Sequence, residues 1–227
     1  MRTIQMKTFR IAIDGPSGAG KSTVAKAVAK RLGFLQVDTG AMYRSIGLYV
    51  YEHKKDPDDK AAVIACLPDI SIDLGFSDEG QRIYLNGRDV SDDIRQNVIS
   101  LYASKVSAIP EVRAFLLGMQ RKVASEHDVV MDGRDIGTVI LPDAELKIFQ
   151  TASVKERAKR RFDELTAKGQ TVSLDDIKRE ITERDYNDSH RAEAPCVPAD
   201  DAVIIDNSNI TIEENTEIIA LLYEMRK

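Results

Sequence analysis

The sequence predicts an α/β fold: a doubly wound parallel sheet with a glycine-rich loop, a small antiparallel β insertion and a charged helical lid. Three observations predict it. Residues 15–22 read Gly15-Pro16-Ser17-Gly18-Ala19-Gly20-Lys21-Ser22, between an alternating apolar strand and an amphipathic helix. Apolar strands then alternate with helical periodicities along most of the chain. Residues 70–90 break that rhythm with a two-residue alternation.

The first strand is marked by Phe9, Ile11 and Ile13. The loop after it matches G-x-x-x-x-G-K-[S/T], a P-loop whose backbone N–H groups converge on a phosphate chain. Gly15, Gly18 and Gly20 permit the tight turn. Lys21 is placed to reach β- and γ-phosphates, and the Ser22 hydroxyl to ligate Mg²⁺. A helix is expected over Thr23 to Leu32, with Val24, Val28, Ala29 and Leu32 on one face and Gly33 as its stop. Phe34 to Val37 is the second strand, closed by Asp38, Thr39 and Gly40, and Ala41 to Tyr51 is helical. Helix–turn segments run on to about Leu67.

Ile70, Ile72, Leu74 and Phe76 alternate with polar residues, and Asp78-Glu79-Gly80 is turn-like. Ile83 and Leu85 mark a second insertion strand. Asn86-Gly87 favours a type I′ turn, and Val90 closes a third short strand. A helix is expected from Ile94 to Ile109. Pro110 starts the next, with Val112, Phe115, Leu116, Met119 and Val123 on its buried side.

Val129, Val130 and Met131 form a core strand ending in Asp132-Gly133-Arg134-Asp135. Polar residues at the carboxyl end of such a strand fall where open α/β sheets bind ligands, and Asp132 suits a Walker-B-like role. A turn of solvated charges is the alternative. Leu146 to Phe149 is the next strand. Residues 153–169 carry Lys155, Arg157, Lys159, Arg160, Arg161 and Lys168, tempered by Glu156, Asp163 and Glu164. This reads either as a solvated helix face or as a basic lid that shields phosphoryl transfer from water. Ile177, Ile181, Arg184, Asp188 and Arg191 follow at spacings of four, three, four and three, one helical stripe that turns from apolar to charged. It describes either an intrahelical charge network or a helix entering a polar cleft. Ala194-Pro195 ends it. Ala202 to Ile205 is the last strand, and Thr211 to Leu222 the closing helix.

With 227 residues, 43% hydrophobic and 30% charged, the chain is long enough for one sizeable core. The formal net charge of −5 argues against a dedicated nucleic-acid binder. The N-terminal sequence shows no run long enough for a signal peptide, and no stretch approaches a membrane span. Cys66 and Cys196 do not make a disulfide framework. A cytoplasmic monomer without membrane or nucleic-acid partners is expected. The expected division is 1–66, core with P-loop; 67–95, antiparallel insertion; 96–152, core; 153–170, lid; and 171–227, core.

Four stretches together resemble the bacterial cytidylate kinases over essentially the whole chain. They are Ile13-Asp14-Gly15-Pro16-Ser17-Gly18-Ala19-Gly20-Lys21, Asp38-Thr39-Gly40-Ala41-Met42-Tyr43-Arg44, Asp132-Gly133-Arg134-Asp135-Ile136-Gly137-Thr138-Val139, and Arg184-Asp185 through Asn187-Asp188 to Arg191. The resemblance implies a nucleoside-monophosphate kinase fold, with residues 70–90 as the enlarged monophosphate-binding insertion. It implies transfer of the γ-phosphoryl group of ATP to CMP or dCMP with Mg²⁺. By the same resemblance, Ser17, Gly18, Ala19, Gly20, Lys21, Ser22 and Thr23 would bind the ATP phosphates. Thr39, Ser104, Arg113 and Asp135 would surround the cytosine, with Tyr43 nearby. Arg44, Arg134 and Arg191 would grip the acceptor phosphate, and Arg184 and Asp188 the sugar hydroxyls. Asp14 and Asp132 would act through water on the magnesium. The lid arginines Arg157, Arg160 and Arg161 would cover the phosphates. The expected catalytic set is Lys21, Asp132, Arg134, Arg157 and Arg161. Thr39 stands where some relatives have serine, and Ser22 where some have glycine.

Three other classes compete. A small P-loop kinase for UMP, AMP or a metabolite such as shikimate shares the loop and lid, and differs in the acceptor motifs from Asp38 onward. A GTP switch protein requires Asn-Lys-x-Asp, which is absent. A nucleic-acid-dependent ATPase is disfavoured by the negative charge and the lack of a clustered aromatic–basic surface.

Overall fold

The computed structural model describes residues 8–77, 80–167 and 169–227. The turn read at Asp78-Glu79 and the lid residue Lys168 therefore lie outside the described residues. In chain order the elements are β1 (Arg10–Asp14), α1 (Lys21–Leu32), β2 (Leu35–Asp38), α2 (Thr39–Glu52), α3 (Lys60–Cys66), β3 (Ile72–Ser77), β4 (Gly80–Leu85) and β5 (Arg88–Asp89). There follow α4 (Asn97–Val106), α5 (Pro110–Glu126), β6 (Val129–Asp132), β7 (Leu146–Thr151), α6 (Val154–Ala167), α7 (Leu174–His190), β8 (Val203–Asp206) and α8 (Ile212–Glu224).

Five parallel strands form the main sheet in the order β2-β6-β1-β7-β8. Both faces are covered, so its strands read as near-continuous apolar runs. Ile11, Ile13, Val130, Leu146 and Ile148 pack with α1 residues Val24 and Val28 and α8 residue Ile219. Ala12, Val37, Val129 and Met131 face the opposite way, into the larger cluster with α2, α4 and α5. The register sets Asp38 and Ile13 beside Asp132. Three carboxylates, Asp14, Asp38 and Asp132, thus end three neighbouring strands at the carboxyl end of the sheet.

β3, β4 and β5 make the separate antiparallel sheet. Asn86 (φ 50°) and Gly87 (φ 79°) both take the left-handed conformation that a type I′ turn requires. This sheet is not an independent core: Ile72, Ile83, Leu85 and Val90 belong to the same cluster as Met42 and Leu116.

Several boundaries differ from the sequence expectation. The helix expected over 94–109 is broken. A single 3₁₀ turn covers Asp93–Arg95, Gln96 is extended at ψ 145°, and α4 begins only at Asn97. α1 starts at Lys21, two residues early, because Gly20 in the left-handed region serves as its N-cap. Gly33 stops it as expected, its N–H donating to the Ala29 carbonyl. On α5, Val112 and Leu116 are fully buried, but Phe115 is 36% exposed at the margin of the stripe. α7 ends at His190, so Arg191 lies beyond the helix as its extended cap. The segment read as a basic lid or a solvated helix face also carries an apolar face: Val154, Ala158, Phe162 and Leu165 pack against Ile177 and Ile181 of α7.

Candidate active site

The β1–α1 turn is the P-loop. Gly15 has φ 142°, and a Cβ there would meet the Gln150 carbonyl oxygen at 1.9 Å, so backbone approach alone demands glycine. Gly18 (φ 75°) and Gly20 (φ 77°) complete the turn. α1 directs its N-terminus at this loop, where its free N–H groups attract anions. Lys21 is 6% exposed, and its Nζ donates to the Pro16 carbonyl at 2.8 Å. Burial, and then the nearby Arg134 charge, push its pKa down. An anion in the loop would restore the ammonium form.

Ser22, the next residue, donates its hydroxyl to Asp132 Oδ2 at 2.6 Å. Gln36 Nε2 donates to Asp132 Oδ1 at 3.0 Å. Burial raises the Asp132 pKa, and the adjacent Asp38 charge raises it further. A cation beside Ser22 would relieve that strain. Asp14, expected to act on a metal through water, has a nearer task. Its two oxygens accept the Ile136 and Gly137 amides, each at 2.7 Å. Those bonds pin the loop that follows β6, where a Cβ added at Gly137 would meet the Lys147 side chain first, at 3.1 Å.

That loop carries Arg134 and Asp135. Asp135 receives Arg113 from α5 in a close ion pair, and Arg191 Nη2 lies 3.8 Å from its other oxygen. The Arg113 guanidinium also lies 5.6 Å from the centre of the Tyr43 ring. Four of the expected acceptor-site residues, Tyr43, Arg113, Asp135 and Arg191, therefore converge from α2, α5, the β6 loop and the end of α7. Thr39 is close but committed: its buried hydroxyl donates to the Asp132 carbonyl at 2.8 Å. Ser104 lies half-buried on α4, its carbonyl accepting from Ser107.

A second cluster sets Arg134 and Arg184 around one buried carboxylate, Asp188, with the Arg44 charge near Arg184. Arg134 Nε donates to Asp188 Oδ2 at 3.0 Å, while Arg184 Nε stands 4.0 Å from the same atom. Arg44 pairs with Asp38 at 2.7 Å. Burial and then the Arg134 charge lower the Arg184 pKa to about 10. Among the described residues, Arg44 Nε, Arg184 Nε and Arg191 Nη2 are buried without a hydrogen-bond acceptor. Buried cationic donors left in this way are costly unless an anion completes them.

The lid arginines are engaged. Arg157 is buried; it donates to the Ala152 and Ser17 carbonyls and makes a bidentate pair with Asp185. Arg160 reaches Asn207, and Arg161 pairs with Glu164 and with Asn97 on α4. In this structure Arg157 thus braces the P-loop, because its donors are already filled by protein oxygens. Arg161 ties α6 across to α4, since Asn97 starts that helix within its reach.

Besides Gln36 on Asp132, sequence reasoning missed four more polar residues that shape the site. Gln81 of β4 accepts the Asp38 amide at 2.9 Å and so tethers the small sheet to the head of α2. Gln150, Asn207 and Asn215 form a buried amide network under the P-loop. Neutral amides carry no motif, and their partners are remote in sequence.

Taken together, a P-loop at the carboxyl end of the central strand of a five-stranded parallel sheet, a Ser–Asp pair beside it and two arginine clusters define a phosphotransferase of the P-loop kinase class. A family model described as cytidylate kinase matches residues 11–225. The chain is 48% identical to a cytidylate kinase of Caldicellulosiruptor bescii over 98% of its own length and 99% of the relative's. It is 47% identical to one of Streptococcus gordonii, covering 98% of each, and 49% identical to one of Lactobacillus johnsonii, covering 91% and 90%. An uncharacterised protein from Eubacterium ventriosum shares the fold at TM-score 0.54 and 14% identity, over 96% of this chain and all of that one. The chain belongs to the cytidylate kinase family.

Proposed function

We propose that this chain transfers the γ-phosphoryl group of ATP to CMP or dCMP, giving CDP or dCDP and ADP. The observation that carries the acceptor choice is Asp135, held between Arg113 and Arg191 beside the Tyr43 ring. Cytosine offers an amine that a carboxylate accepts and a ring carbonyl that a guanidinium meets. Uracil would turn its C4 oxygen toward that carboxylate and lose by repulsion. The unsatisfied donors of Arg44, Arg184 and Arg191 support an anionic acceptor, because a monophosphate supplies the oxygens they lack.

The residues also fit a magnesium–nucleotide donor. Ser22 and Asp132, already paired, would hold Mg²⁺, with Asp14 steadying the loop behind them. Mg²⁺, when bound, supplies neutralisation of charge on the donor's phosphate oxygens. Lys21 contributes a cation at the β- and γ-phosphates, and the P-loop amides bind the chain. Arg134 reaches toward both substrates from the β6 loop, and Arg157 and Arg161 hold the lid helix over the P-loop side. No general base is needed, since the acceptor is a phosphate oxygen that is nucleophilic at neutral pH. Catalysis rests on alignment, charge stabilisation and exclusion of water. Residues 67–95 serve as the acceptor-side insertion and 153–170 as the lid. A cytoplasmic monomer acting on small molecules, without nucleic acid or membrane, is the setting we infer; among the described residues no helix is long and apolar enough to cross a membrane.

An acceptor panel tests this reading. With Mg²⁺-ATP, the wild-type chain should use CMP and dCMP well and UMP poorly. Asp135→Ala should lower kcat/KM for CMP by one to two decades, about 1–3 kcal/mol, and shrink the CMP/UMP ratio. A ratio unchanged by the substitution would reject Asp135 as the base reader. Better turnover of a non-cytidine acceptor by the wild type would reject the substrate assignment.

A further inference from the structure

The Ala19 carbonyl turns away from the phosphate side of the P-loop and accepts two side-chain amides, Gln150 Nε2 at 2.5 Å and Asn207 Nδ2 at 2.8 Å. Both side chains are buried. Each amide is oriented in turn by a donor to its oxygen. Asn215 Nδ2, from α8, donates to Gln150 Oε1 at 3.3 Å. Arg160, from α6, donates to Asn207 Oδ1 at 3.1 Å and to the Asn207 carbonyl at 2.8 Å. With both oxygens occupied, the two NH₂ groups are left to face Ala19.

A trans peptide sends its C=O and N–H to opposite sides. Holding the Ala19 carbonyl in the protein interior therefore aims the Gly20 N–H outward, into the concave side that cradles phosphate. The lock matters because Gly20 is a glycine at φ 77°, and glycine flanks allow a peptide plane to flip at little cost.

We propose that Gln150 and Asn207 are positioning residues for the donor nucleotide: they lock the Ala19–Gly20 peptide so that the Gly20 N–H meets a phosphate oxygen, and Arg160 couples the lid helix to this lock through Asn207. The proposal rests on the reading of the P-loop as an ATP site. Asn207→Asp and Gln150→Glu keep side-chain size but put an oxygen where each NH₂ now meets the carbonyl. Each should weaken ATP binding, measured by calorimetry, about tenfold, with KM for CMP changed less than about twofold. In the same variants the Gly20 amide proton should lose the shift that ATP induces in the wild type. Asn207→Ala removes the donor without adding charge and serves if a carboxylate variant fails to fold; a loss of about threefold or more for ATP alone is expected. Arg160→Ala should cost ATP less affinity in the Asn207→Ala background than in the wild type, the signature of action through a shared partner.

ATP affinity within about twofold of wild type in folded Asn207→Ala and Gln150→Glu would overturn the lock. Equal losses for ATP and CMP with a lowered Tm would also overturn it, leaving these amides a role in stability only. An additive loss in the double variant would overturn the coupling through Asn207. A wild-type chain that does not bind ATP would sink the nucleotide reading, and this proposal with it, before any variant is made.

Discussion

Asp14 is fully buried at the end of β1, and both oxygens accept backbone amides, yet its pKa is raised to about 6 because desolvation outweighs those bonds. The ordinary value is 3.8. Between the two values the folded chain holds this proton while the unfolded chain has released it. The folded state then binds more protons, so stability falls as pH rises across that window and levels off above it. Asp14→Asn removes the titration. In urea melts the wild type should lose about 3 kcal/mol relative to Asp14→Asn between about pH 4 and pH 6. Parallel stability curves for the two proteins would contradict the burial argument. At this scale the charged and glycine residues of the site were legible because each carries its chemistry in its side chain or its φ. Gln150, Asn207 and Asn215 were not. Gln150 and Asn207 act by meeting Ala19 across 131 and 188 residues of chain, and Asn215 by meeting Gln150, proximities that no local pattern encodes.

α6 illustrates the element scale. Its charges dominate the sequence and draw attention to a solvated or mobile lid. The signal that was available is the stripe Val154, Ala158, Phe162 and Leu165, spaced four, four and three, which predicts the packing on α7. Strands of the main sheet were legible for the converse reason, since burial on both faces makes them uninterrupted apolar runs. The break at Gln96 escaped detection because nothing in Ile94 to Ile109 is a glycine or proline. Arg157 and Arg160 attach α6 to Ser17 and Asn207, so ligands that order the P-loop should steady this helix. Because α6 and α7 share one small cluster, we expect their amides to gain protection together. With Mg²⁺-ATP and CMP, hydrogen exchange over residues 154–190 should slow by about tenfold relative to the free protein. Slowing confined to the P-loop would show that α6 is a static surface helix.

At the scale of the whole molecule, the two sheets differ in topology but share one interior. Ile83 lies on β4 of the small sheet, is 2% exposed, and belongs to the cluster that also contains Met42, Leu116 and Met131. Ile83→Ala should therefore destabilise the entire chain by about 2–5 kcal/mol. Circular dichroism and tyrosine fluorescence should report one coincident unfolding transition. Two separated transitions, with the main sheet unaffected by the substitution, would show that the insertion folds on its own. The sequence made the insertion visible through its change of period, but not its attachment, because shared burial is a property of the assembled fold.

The fastening of β4 to the head of α2 through Gln81, added to that common interior, bears on how this chain can be re-engineered. Residues 72–89 look like a cassette, a hairpin with an extra strand ready to be trimmed or exchanged to retune acceptor choice. They are instead a wall of the building. Removing them would strip cover from Met42 and Ile46 and release the Asp38 backbone that sets the pitch of the helix bearing Tyr43 and Arg44. A graft from another kinase would have to bring its own matching face for α2, and redesign of specificity is better begun at single side chains than at whole segments.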